Sequence, residues 1–207
     1  MMGNLQIEVV ALEDAWQLLD IYRYYVENTA ITFEYETPSL EEFKQRIITI
    51  LKRYPYLVAK ADGQITGYVY ASAFHERAAY DWCVETSIYL KPDCCHQGTG
   101  RILYQCLENI LRLQHVTNMN ACIASPVKPG PYLDDNSIRF HEHMGFQPVG
   151  KFHYCGYKFQ SWFDMIWMEK MINDHQEKQL PLLRFDEVKK AVFDEKNRYQ
   201  FKSEVTE

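Results

Sequence analysis

Trp82-Cys83-Val84-Glu85-Thr86-Ser87-Ile88-Tyr89-Leu90-Lys91-Pro92-Asp93-Cys94-Cys95-His96-Gln97-Gly98-Thr99-Gly100-Arg101-Ile102-Leu103 carries the strongest architectural signal in the chain. Trp82 to Leu90 is rich in β-branched and aromatic residues and reads as a strand, stopped by Lys91-Pro92-Asp93. Ile102, Leu103, Cys106, Leu107, Ile110 and Leu111 then recur at helical spacing and predict an amphipathic helix. The loop between them holds glycines at 98 and 100, which let a backbone approach an anion closely. A strand–loop–helix junction also offers unpaired N–H groups and the positive end of a helix dipole. Gly-x-Gly by itself suits an ordinary turn equally well. A dinucleotide fingerprint needs a third glycine where Leu103 stands, and a Walker loop needs Gly-Lys-Ser/Thr, which is absent.

Upstream, Gln6 to Ala11 reads as a strand, and Asp14 to Asn28 as a helix with Trp16, Leu19, Tyr22 or Arg23, and Val26 at helical spacing. Ser39 with Glu42 forms a capping box that starts a second helix, with Phe43, Ile47 and Ile50 on one face. Tyr56 to Ala61, the turn Asp62-Gly63, and Gln64 to Phe74 read as a hairpin, since Asp-Gly suits a type I′ turn. Downstream come a strand at Asn120 to Ala124 and a short helix at Ser137 to Met144, closed by Gly145. Two strands follow, near Val149 to Tyr157 and Phe163 to Lys170. The order predicts an α+β domain over residues 1–172 with a mixed, mostly antiparallel central sheet flanked by helices. Residues 173–207 turn charged and amide-rich, and predict an extension that is partly helical around Asp186 to Tyr199.

A chain of 207 residues suits one sizeable domain. Aromatic residues make up 14% of it, and aromatic walls are common around small-molecule pockets. The net charge of −6 argues against a nucleic-acid partner, which demands a concentrated basic face. The stretch Met1 to Gln6 lacks the basic and apolar regions of a signal peptide, and no apolar run reaches bilayer length. A cytoplasmic location with no membrane partner is the expectation. The six cysteines, Cys83, Cys94, Cys95, Cys106, Cys122 and Cys155, are then expected as reduced thiols, with no CxxC spacing for zinc. His141 and His143 are two apart on a helix and diverge, so no metal is expected.

Ile88-Tyr89-Leu90-Lys91-Pro92, the gap, Gly98-x-Gly100 and Leu103 resemble the cofactor motif of the GNAT superfamily of acetyl-CoA-dependent N-acetyltransferases. The resemblance runs from about Ile7 to Met171 and is nearest to the phosphinothricin acetyltransferase family. It includes Arg53 to Ala59, Ala79 to Glu85, Ser137 to Glu142, Gly145-Phe146, and Gly156-Tyr157-Lys158 with Trp162. It implies that Ile88, Tyr89, Leu90, the loop Cys95, His96, Gln97, Gly98, Thr99, Gly100 and Arg101, and Asn136 with Ser137 hold acetyl-CoA. Cys95 replaces the Gln or Arg usual in that family, so phosphate binding rests on backbone N–H groups. Asp134 replaces an Asn common three residues before the serine.

Acetyl transfer to an amine needs a neutral amine, a polarised thioester carbonyl and a proton for the departing thiolate. The resemblance assigns Glu85 and His141 to acid–base work, Glu85 as first choice for the base, with the division between them open. It places Arg77 in the acceptor site, where a guanidinium suits a carboxylate or phosphinate. Phe33, Tyr80, Tyr157 and Trp162 are candidate pocket walls, and Lys158 is assigned across a homodimer interface. Cys83 shares a strand face with Glu85 but has no partner base, and reads as packing. The expected acceptor is a small amino-acid-like amine of the phosphinothricin or methionine sulfoximine type. A cationic amine, a protein N-terminus, and a non-catalytic acyl-CoA binder are the alternatives.

Overall fold

Asp62 and Gly63 take φ of 50° and 79°, the left-handed pair that a tight hairpin demands, and they set the register of the whole sheet. The computed structural model describes residues 5–95 and 97–201. Around that turn lie β2 (Tyr56–Ala61) and β3 (Gln64–Ala73), preceded by β1 (Gln6–Val9), α1 (Ala15–Asn28) and α2 (Leu40–Leu51). After it come β4 (Cys83–Leu90), α3 (Thr99–Leu113), β5 (Asn118–Pro126), α4 (Asn136–His143), β6 (Gln147–Lys158), β7 (Ser161–Met171) and α5 (Phe185–Val188). The seven strands form one sheet in the order β1-β2-β3-β4-β5-β7-β6. Every pairing is antiparallel except β4 with β5. The mixed, mostly antiparallel sheet read from the sequence is the sheet observed.

Period-two alternation distributes the two hydrophobic cores. Leu57, Ala59, Val69, Ala71 and Val84 face one way and pack with Leu103, Leu107 and Ile110 of α3. Tyr56, Val58, Tyr68 and Ile65 face the other way, under α1 and α2. The capping box at α2 forms as its sequence dictates: the Ser39 hydroxyl accepts from Glu42 N, and the Glu42 carboxylate accepts from Ser39 N at 2.8 Å.

Two expectations need correcting. Leu19, Tyr22 and Val26 of the expected face are buried with Ala15, Leu18, Ile21 and Tyr25, but Trp16 in the first turn is 61% exposed. The segment after Met171 is packed into the main core rather than set apart from it. Helix there is confined to α5 and a single 3-10 turn, Lys189–Ala191. Phe185, Val188, Val192, Phe193 and Tyr199 join the α3-side core, and Tyr199 N donates to Ile7 O at 2.7 Å. Val9 N in turn donates to Asn197 O at 3.1 Å, so the segment runs along the free edge of β1. Upstream, Gln114 Nε2 donates to Leu183 O at 2.8 Å and Trp82 Nε1 to Leu180 O at 2.7 Å. The charged composition masked apolar residues that are few but spaced to reach one surface.

Candidate active site

β4 and β5 pair through only three positions, Cys83↔Asn118, Val84↔Met119 and Glu85↔Asn120. Side chains terminate the ladder: the Thr86 hydroxyl donates to Asn120 O at 3.0 Å, and Asn120 Nδ2 donates to Val84 O at 3.1 Å. Beyond that point β5 stays with β7 and β4 stays with β3. One backbone edge of residues 86–90 is therefore left without a strand partner. The split is a narrow cleft of about 60 Å³. Ile31 from the α1–α2 connection lines it, as do Thr86, Ser87 and Ile123 of the strands and Ser137 and His141 of α4. Because Thr86 and Ser87 point to opposite faces, the cleft joins the two sides of the sheet.

On the α3 side, Gly98 has φ of 84° and opens the helix, with no side-chain cap and no acidic residue in the first turn. The first-turn N–H groups are thus free of side-chain acceptors, which suits a pyrophosphate. Gly100 packs closely against its neighbours; a Cβ there stands 3.3 Å from the Phe140 ring. The Cys95 thiol points back to Lys91 O at 3.5 Å and Gln97 Nε2 donates to Asp93 O at 3.1 Å, so both side chains close the loop on itself. His96 lies outside the described residues. Thr99 is buried, while Arg101 stands in an open groove with His143 and Lys170. The Leu90 carbonyl accepts from the Tyr25 hydroxyl at 2.6 Å. Asp134 binds the start of α4, accepting from Asn136 N at 3.0 Å and from Asn136 Nδ2 at 2.6 Å. The Asn136 amide is therefore held by its own loop.

Glu85 and His141 occupy opposite environments. Glu85 is half-buried at the last paired position of β4, and burial raises its carboxyl pKa, with His75 opposing the shift. His141 is 4% exposed, and both ring nitrogens are engaged. Nδ1 lies 2.7 Å from Ser137 O, a carbonyl that only accepts, so Nδ1 carries the proton. Nε2 then accepts from the Tyr104 hydroxyl at 2.8 Å, and the Tyr104 oxygen accepts at 2.9 Å from the Thr86 hydroxyl, which shares its one proton with Asn120 O. Burial pushes the His141 pKa down to about 4, so the ring is neutral at pH 7. Among the described residues Glu85 has no hydrogen-bond partner, while both ring nitrogens of His141 are taken. Tyr104, a helix aromatic that the sequence did not single out, ties α3 to His141 and Thr86.

The acceptor-site candidates scatter. Arg77 is exposed in the loop after β3, where Phe74, His75 and Tyr80 form an aromatic group with Trp167. Phe33 packs on Phe163, and its ring occupies the space a Cβ on Gly156 would need. Tyr157 stacks near Trp162 and is 46% exposed at the β6–β7 hairpin, its carbonyl accepting from the Tyr35 hydroxyl. Lys158 is a correction: it is 3% exposed and donates to Val26 O, Thr29 O and Thr32 O at 2.8, 2.9 and 2.9 Å. Its ammonium caps the end of α1 within its own chain, with all three protons used. The thiols of Cys83 and Cys95 are pushed up by burial, and those of Cys106 and Cys122 reach about 12, so none of these is a thiolate.

A second space opens beside Glu85, between α2 and the sheet. It measures about 530 Å³ and is walled by Tyr22, Tyr56, Tyr68, Tyr70 and Tyr89. Ser72 lines its inner end and is the cross-strand partner of Glu85. Residues 56, 68, 70 and 89 share a face by strand alternation, a signal the sequence held and the hairpin register makes readable. Among the described residues no group of three or more His, Cys, Asp or Glu is placed to hold a metal, and no helix is long and apolar enough to cross a membrane.

A sheet split beside a glycine-opened helix defines an acyl-CoA-binding transferase fold, and comparison with known proteins agrees. Residues 7–167 match the acetyltransferase (GNAT) domain, and the chain belongs to that family. It is an acetyl-CoA-dependent N-acetyltransferase, similar to the phosphinothricin acetyltransferases. It is 30% identical over 161 residues to phosphinothricin N-acetyltransferase of Streptomyces viridochromogenes, covering 78% of this chain and 84% of that one. An L-methionine sulfoximine/L-methionine sulfone acetyltransferase of Salmonella typhimurium is 28% identical over 172 residues, covering 78% and 91%. A solved GNAT phosphinothricin acetyltransferase from Sinorhizobium meliloti, in complex with acetyl-CoA, superposes with a TM-score of 0.77 at 31% identity. That match covers 89% of this chain and 99% of the other.

Proposed function

We propose that the protein acetylates the primary amine of a small amino-acid-like substrate, of the phosphinothricin or methionine sulfoximine type, by direct attack. The observation that carries this reading is the position of Glu85, unpaired, half-buried and last in the ladder before the cleft opens. A carboxyl whose pKa is raised by burial is a better proton acceptor than an ordinary glutamate. Glu85 takes the proton of the incoming amine as its nitrogen bonds the acetyl carbon; the C–S bond then breaks and CoA leaves as the thiolate, which takes a proton from solvent. The first-turn N–H groups of α3 beyond Gly98 hold the pyrophosphate, and the free edge of residues 86–90 takes the pantetheine arm. Acetyl-CoA supplies the activated acetyl group. His141 serves as a positioning residue: neutral and doubly bonded, it fixes Tyr104 and the α4 wall of the cleft. Arg77, in the loop beside the aromatic group, meets an acidic function of the acceptor.

The relatives named for phosphinothricin and methionine sulfoximine support this acceptor class. Incubating the protein with acetyl-CoA and a panel of amines, and following free thiol, tests it. Turnover of methionine sulfoximine is expected; turnover restricted to cationic amines moves the reading to that class, and tight acetyl-CoA binding without turnover of any amine defeats it. The reading includes a cytoplasmic homodimer. Ten of the twelve residues of β6 are exposed, among them Val149, Phe152 and Tyr154 at 60%, 56% and 59%, an apolar edge that a second copy covers. Light scattering at micromolar concentration checks the mass, and Phe152→Lys is expected to halve it.

A further inference from the structure

We infer that the tyrosine-walled space under α2 is the pocket for the acceptor's side chain, and that it selects amines bearing an uncharged aromatic ring. The inference rests on the acceptor reading above and narrows it to a substrate class. The space lies beside the reaction centre: Ser72, which lines it, is the cross-strand partner of Glu85, and Tyr89 lines both the space and the cleft. Its volume of about 530 Å³ lies within the range of sites that enclose a whole small molecule. A short aliphatic side chain leaves most of it empty.

The walls specify the ligand's chemistry. Tyr56, Tyr68 and Tyr70 lie with rings nearly parallel, at 4.8 Å and 19° for Tyr56–Tyr70 and 6.5 Å and 11° for Tyr68–Tyr70. Tyr89 meets Tyr68 at 5.4 Å. Such faces and edges favour another ring by stacking or edge contact. At the rim Arg46 bonds Glu34 at 2.7 Å, so an anionic tail finds no free cation there, and the Glu42 carboxylate is taken up by the Ser39 N–H and hydroxyl at 2.8 and 2.7 Å. The hydroxyls of Tyr56, Tyr68 and Tyr89 make no hydrogen bond to other described side chains or backbone groups within the structure's bonds, unlike that of Tyr22, which meets Thr32 Oγ1 at 2.9 Å. Burial holds all three phenols well above their usual pKa, so they stay neutral donors and acceptors. A ring carrying a hydroxyl or ring nitrogen answers them; an all-carbon ring answers only the walls.

The test uses the full chain with acetyl-CoA and compares kcat/KM for tyrosine, an amino acid with an uncharged hydroxyl-bearing ring, with kcat/KM for methionine sulfoximine by thiol release. The ratio is expected to favour tyrosine by at least about tenfold, the discrimination a shaped apolar pocket supplies. Thr49→Trp, which fills the space from α2, is expected to lower that ratio by about tenfold or more. Tyr68→Phe removes only a hydroxyl and is expected to raise the KM for tyrosine about fivefold, the worth of one hydrogen bond, with kcat little changed. Thermal unfolding of each variant checks the fold, and Tyr68→Phe carries the test alone if Thr49→Trp does not fold. Turnover of methionine sulfoximine with a ratio at or below one, or a ratio and KM untouched by the variants, overturns this inference and leaves the transferase reading standing. No turnover of any amine overturns both.

Discussion

The two sides of the split sheet bury polar groups in opposite ways. On the α3–α4 side, His141, Tyr104 and Thr86 are enclosed and bonded to one another in series. On the α1–α2 side, the hydroxyls of Tyr56, Tyr68 and Tyr89 line open space, and neither they nor the neighbouring Glu85 carboxyl have a hydrogen-bond partner among the described residues. A buried polar group with every bond made adds specificity to the fold and resists titration; one left unsatisfied costs stability and is ready to bind. The first side is therefore satisfied structure, and the second carries groups ready to bind, which is where the proposed acceptor site lies.

The largest expected effect breaks the second side. Glu85→Gln should lower kcat by about 10²–10⁴, the range for removing a general base, while acetyl-CoA binding is unchanged by titration calorimetry. In the native protein kcat/KM should fall as pH drops through the raised Glu85 pKa, and this limb should vanish in the variant. Next, Gly98→Val forces a β-branched residue to a φ of 84° and crowds the anion site, so acetyl-CoA affinity should fall by about a hundredfold or more. Unchanged affinity would mean that the pyrophosphate binds elsewhere.

A subtler experiment sharpens the contrast through His141. Its folded pKa of about 4 lies below the unfolded value near 6.5, so the unfolded chain binds the extra proton first. Stability contributed by the neutral ring is complete above pH 6.5 and lost as pH falls toward 4, by about 3 kcal/mol. Denaturant unfolding across that window should show the slope, and His141→Gln should flatten it. The pH–rate profile of that variant should keep the Glu85 limb, since the ring positions rather than titrates. The smallest effect concerns Glu85 again: because a buried, unpaired carboxylate costs stability, Glu85→Gln should raise the melting temperature slightly at pH 7.

Much of this was legible in the sequence. Asp62-Gly63, the Ser39–Glu42 capping box and the Gly98-x-Gly100 junction each carry a local conformational demand, and each formed where its residues predict. Glu85 was placed on its strand, and the sheet's mixed character followed from element order. What escaped depends on distant packing. Lys158, assigned to a neighbouring subunit's site on the resemblance, is instead brought by β6 under the end of α1 of its own chain. His141 reads as a titrating group until Tyr104, a residue on another helix, takes its second nitrogen. The tyrosine space needed the β2–β3–β4 register before its rings could be seen to share a face.

The segment that runs along β1 joins residues almost the whole chain apart, with Tyr199 bonded to Ile7. Contacts of such separation form late and slowly in folding. While a ribosome is still delivering residues near 199, the outer edge of β1 stands bare, an adhesive border open to any neighbouring strand. A fragment cut at the end of the family match, near residue 167, keeps that border exposed permanently. Such a fragment is a poor choice for expression, and the full chain a sound one.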